Sequence, residues 1–163
     1  VVVQIQEALG NIFLEQKDII KEIIFLEEMN EVEFNTAPWI SILPDKASID
    51  PAWHWDNAYT TKDTLIKVQR KYTITQPITV RIVFENKAEL DKIVNTFLQD
   101  LPKSFVINNS NIELNPREIE YILAKGELGV SVAIIGIDTI YPIHNIMESA
   151  KKIKQISFDM NKK

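Results

Sequence analysis

The chain has no cysteine, only four glycines and only two histidines among its 163 residues. Without cysteine there are no disulfides and no thiolate sites for zinc, a usage that fits a reducing compartment. Gly10, Gly126, Gly129 and Gly136 stand in no phosphate-cradling pattern. That excludes a P-loop or a dinucleotide fingerprint. No serine lies in a nucleophile-elbow context, so the sequence predicts no nucleophilic catalysis and no enzyme. Long hydrophobic runs are missing too. No apolar stretch approaches the roughly 20 residues needed to span a bilayer. The opening Val1-Val2-Val3-Gln4-Ile5-Gln6-Glu7 has no basic region, so no secretory leader is expected in it. Positive charge is also scarce: 18 Lys and Arg against 23 Asp and Glu give a net charge of −5. Such a balance disfavours phosphate binding as the main activity, because nucleic-acid affinity comes from clustered cations.

What is there is a globular composition, 45% hydrophobic and 25% charged. Its length suits one domain with a real core, expected to cover residues 1–163. Ile78, Val80, Ile82 and Phe84 repeat at period two, as a half-buried strand requires. Leu90, Ile93, Val94, Phe97, Leu98 and Leu101 then form one stripe of a helix. Asn86 with Glu89 gives that helix a capping-box start, and Pro102 ends it. Ile5, Leu9, Ile12 and Phe13 make a second helical stripe near the N-terminus. A further helical segment is expected after Asp18, although Ile23–Leu26 reads equally as a strand; together these make a helical region over 1–34.

Trp39–Leu43 is a short strand between Pro38 and Pro44, with Trp39 expected in the core. Residues 44–66 lack periodicity and are expected to form a long ordered loop, a kind of insertion that often carries function. A strand resumes near Ile66. Gln76-Pro77 is either a tight hairpin turn or a bulge within one long strand. Ser104–Ile107, Ile112–Leu114 and Glu120–Ala124 are short strand candidates, with Asn108–Asn111 a turn and 126–129 a hairpin connection. Val130–Ile140 reads as a long central strand. Asn145–Lys152 is a short helix candidate and Ile153–Phe158 a last strand. The expected fold class is α+β: a largely antiparallel sheet, one long helix packed on one face, and an N-terminal helical region.

Few residues suggest chemistry. His54, Asp56, Asp138 and His144 are a conceivable set of metal ligands by type, but their spacing is no tight ligand pair, and ordinary surface histidines explain them. No metal and no cofactor is expected. Trp53-His54-Trp55 is the oddest local sequence. Its two rings either plug the edge of the core or anchor an interface, where Trp is enriched. Glu27, Glu28, Glu31 and Glu33 make one acidic pole; Lys151, Lys152 and Lys154 make a basic one. Opposite poles on one chain suit head-to-tail contact in a ring, and solvation explains them equally well.

The element order resembles a known family. Its most telling stretch is Ile78-Thr79-Val80-Arg81-Ile82-Val83-Phe84, then Lys87-Ala88-Glu89-Leu90 and Leu98-Gln99-Asp100-Leu101-Pro102. Around it lie the Pro-bounded strand Pro38–Leu43, a hairpin over Lys67–Phe84 and closing strands over Val130–Ile140. This order is similar to that of the tail terminator and tail-completion (neck) proteins of tailed bacteriophages and related contractile particles. The resemblance implies a non-enzymatic virion protein of the tail or neck, assembled in the cytoplasm of a bacterial host. Such a protein forms a homo-oligomeric ring, commonly a hexamer, on the last ring of the tail tube and ends its polymerisation. The implied partners are the tube protein, the sheath protein and the head–tail connector, with genomic DNA passing the lumen unbound and no membrane involved. The competing expectations are another phage structural subunit, such as a head–tail stopper or tube-like protein, and a peptide- or small-molecule-binding module that uses Trp53 and Trp55.

Overall fold

The computed structural model of the chain describes residues 1–14, 22–25, 38–61, 64–122 and 130–150. Among them are two helices, α1 (Val2–Leu14) and α2 (Lys87–Asp100), and seven strands. The strands are β1 (Glu22–Phe25), β2 (Trp39–Pro44), β3 (Ser48–Thr61), β4 (Thr64–Phe84), β5 (Ser104–Ile107), β6 (Ser110–Ile122) and β7 (Ser131–Ala150). They join one sheet in the order β1-β2-β4-β7-β6-β5, and β3 also pairs β4. The pairs β2–β4, β5–β6 and β6–β7 are antiparallel, and β1–β2 is parallel. The α+β class and the largely antiparallel sheet are therefore as expected. The helices are nearly equal, 13 and 14 residues, so no single long helix dominates.

The chain divides into two compact units. The first is Val1–Ser48 with Thr75–Tyr141, and the second is Ile49–Ile74 with Pro142–Lys163. In the first unit, alternation along the strands sorts side chains to two faces. Ile40 and Ile42 of β2, Ile78, Val80, Ile82 and Phe84 of β4, and Ala133, Ile135 and Ile137 of β7 enter one cluster with both helices. α1 contributes Ile5, Leu9 and Phe13; α2 contributes Leu90, Ile93, Val94 and Phe97. The rings of Phe13 and Phe97 stack, 4.5 Å between centroids and 7° from parallel. Leu98, expected in the stripe, is exposed at its margin, and Leu101 is half-buried. Trp39 and Val83 have the other parity and form a small second cluster with Val130 and Val132. Trp39 is thus a core residue, as expected.

Helix α2 starts where the sequence places it. Asn86 has extended backbone, and its side chain accepts from the N–H of Ala88 at 2.8 Å, satisfying a donor the helix leaves unpaired. The Leu101 N–H closes the other end on the Phe97 carbonyl.

Three expectations need correction, and at Gln76-Pro77 the alternative of one long strand holds over the hairpin. Residues 44–66 are not a loop: β3 occupies Ser48–Thr61 and β4 begins at Thr64. Gln76-Pro77 is no hairpin turn, because β4 runs through it unbroken for 21 residues. Pro77 has no N–H to give. Gln76 offsets this locally: its side-chain amide donates to the Asp45 and Pro77 carbonyls, and its own carbonyl accepts from Thr139 Oγ1 at 2.7 Å. The candidates on either side of Pro116 are one strand, β6, whose register against β7 shifts between Pro116 and Glu118. Finally, the helix candidate from Asn145 is the end of β7 as far as Ala150. In the N-terminal region α1 is as expected, and Glu22–Phe25 takes the strand alternative. The hairpin connection at 126–129 and the last strand at 153–158 lie outside the described residues.

Candidate interaction site

The second unit contains none of the buried hydrophobic residues found among the described ones. Its strands carry polar and aromatic side chains into solvent, and their contacts are of another kind. Trp53 and Trp55 of β3 are 58% and 53% exposed, so neither ring plugs a core. Lys67 and Lys71 of β4 share one parity. The ammonium of Lys67 lies 5.5 Å from the centre of the Trp55 ring, and that of Lys71 lies 5.7 Å from Trp53. Each contact is worth about 0.5–1 kcal/mol at an exposed position. The Trp53 backbone is left-handed, φ 45°, a conformation a bulky residue rarely adopts. Its ring meets Tyr72 edge-on at 6.0 Å.

Residues of the other parity form a polar clasp. Arg70 Nε of β4 donates to Asp56 Oδ2 of β3 at 2.9 Å. His144 Nε2 of β7 lies against the same oxygen, and His54 Nε2 lies 3.0 Å from Oδ1. His54 Nδ1 faces the Ala52 carbonyl at 3.2 Å. Both nitrogens of His54 therefore face oxygen acceptors. Desolvation alone raises the Asp56 carboxyl. The hydrogen bonds and charges of His144 and Arg70 outweigh it and leave the group below its ordinary value of 3.8. One carboxylate thus fastens three strands. Among the described residues neither imidazole bonds a hydroxyl, so the cluster sets up no nucleophile–base pair.

Of the four residues weighed as metal ligands, His54, Asp56 and His144 come together. Asp138 belongs to the first unit and pairs with Arg117 Nε at 3.0 Å. Among the described residues no group of three or more His, Asp or Glu side chains is disposed to hold a metal. At Asp56, the oxygen a cation would share is already taken by a guanidinium.

The candidate interface residues Glu27, Glu28, Glu31, Glu33, Lys151, Lys152 and Lys154 lie outside the described residues. Lys67, Arg70, Lys71 and Tyr72 escaped the sequence reading. Their signal was the alternation of β4, which separates Lys67 and Lys71 from Arg70, but it has meaning only once β3 is known to lie beside that strand. No protein-family model matches the chain, and no curated protein matches it. Among the described residues no helix is long and apolar enough to cross a membrane.

Proposed function

We propose that the chain is a non-enzymatic assembly subunit that works by matching surfaces to copies of itself and to neighbours. The particular form proposed is a tail terminator or neck protein: a ring, commonly of six copies, that caps a tail tube in the virion and offers a docking face to the head connector. The carrying observation is the second unit, where Trp53, Trp55, Tyr59, Ile143, Ile146 and Met147 all stand in solvent. Large apolar side chains exposed in this number within one unit favour a role in interaction. Strand β2, helix α2 and the net negative charge fit the same reading, while the loop and hairpin that the resemblance implied between them are the strands β3 and β4. An acidic ring repels DNA in its lumen and does not hold it.

The test is light scattering of the purified chain across concentration, with negative-stain microscopy of the heaviest species. Closed rings are expected. Replacing Trp53 and Trp55 together with Ala is expected to abolish them while leaving the chain folded by circular dichroism. A strictly monomeric chain at high concentration defeats the proposal.

A further inference from the structure

The tryptophan surface of the second unit has a chemical counterpart on the same chain. Its cations are Lys67 and Lys71, and neither pairs with a carboxylate among the described residues. What it offers is therefore exposed aromatic area bordered by ammonium groups that have no carboxylate partner among the described residues. The counterpart is the second half of β6. Strand β5 pairs β6 only from Ser110 to Glu113. Beyond Asn115, β7 is the only partner of β6 among the described strands.

In that stretch Glu118, Glu120 and Ile122 are exposed on one face of the strand, and Ile119 and Tyr121 are exposed on the opposite face. Arg117 reaches Asp138 at 3.0 Å and Glu118 only at 4.0 Å, so Glu120 has no cation among the described residues. One surface is aromatic and cationic; the other, formed by Glu118, Glu120 and Ile122, is anionic with one apolar side chain.

We propose that the Trp53/Trp55 surface of one copy docks on the Glu118–Ile122 stretch of a second copy. The proposal rests on the assembly reading above and supplies its contact. Two different patches make the contact heterologous, so it propagates head to tail and closes a ring where the rotation permits. A self-complementary dimer does not follow from it. Apolar area supplies the attraction, and the Lys–Glu pairs fix register and partner choice.

The experiment is charge reversal in the full chain, followed by light scattering, with circular dichroism and thermal midpoint as folding controls. Lys67→Glu with Lys71→Glu makes both surfaces anionic; Glu118→Lys with Glu120→Lys makes both cationic. Each variant alone is expected to fold and to self-associate about 100-fold more weakly. Mixing the two is expected to restore assembly, because every contact in an alternating ring is again between opposite charges. A variant that assembles alone like the parent, or a mixture of folded variants that stays apart, overturns the proposal. Rings of the parent that survive both reversals sink this contact and leave the assembly reading standing. A monomeric parent sinks both. Binding of an acidic peptide or DNA that is lost with the lysine reversal, in a chain that never self-associates, assigns the surface to another partner and overturns the proposal as well.

Discussion

The two units of this chain are held together by different physics. The first buries Phe13, Phe84, Phe97 and a set of isoleucines completely. Its order comes from apolar area removed from water, at about 25 cal/mol for each Å². The second has no such residue among the described ones, and its described contacts are the Asp56 clasp and lysines over tryptophans. Contacts of the second kind are worth a few tenths to about 1 kcal/mol each in water. The contrast teaches that a sheet can run through a part of a protein that buries no core, and that its side chains there remain free to meet something else.

The comparison breaks most visibly in the first unit. Phe97→Ala removes the ring stacked on Phe13 and leaves a cavity, so chemical denaturation should show a loss of about 3–5 kcal/mol. Asn86→Ala strips the cap of α2 and should cost about 1 kcal/mol, read as a lowered thermal midpoint. Effects in the second unit should be no larger and should stay local. Replacing Trp53 and Trp55 with Ala removes both lysine contacts and should cost about 1 kcal/mol, with exchange raised in β3 and α2 left protected. Asp56→Asn should speed amide exchange in β3 and at the ends of β4 and β7 beside it, at less than about 1 kcal/mol, and leave α2 protected. The pH dependence has a definite sign. The Asp56 carboxyl is held below 3.8 in the folded chain, so its contribution is present above the unfolded value. It is lost as pH falls through the lower folded value, a window below about pH 4.

The same contrast governs what the sequence made legible. The strand from Ile78 and the helix from Lys87 were readable because one face of each is buried, and burial imposes a period. Strand β3 was not. Asp50, Pro51, Asp56 and Asn57 are poor strand formers, and a segment exposed throughout has no alternation to display. The strand forms because β4 lies beside it, a cause remote from its own residues. Pro116 misled because it reads as a break, yet β6 runs through it; at Pro77 the sequence left a turn and one long strand both open, and β4 takes the second. Trp53 and Trp55 stood out by composition alone. The clasp did not, because Asp56 and His144 are 88 residues apart and meet only through the order of strands.

The placement of the three tryptophans has a practical consequence. Trp39 sits 3% exposed among valines, while Trp53 and Trp55 face water beneath ammonium groups. Intrinsic emission therefore divides into a blue component that a soluble quencher scarcely reaches and a red one open to collisional quenching. The chain carries an unlabelled optical gauge whose red part reports whatever settles on β3 and whose blue part registers only unfolding.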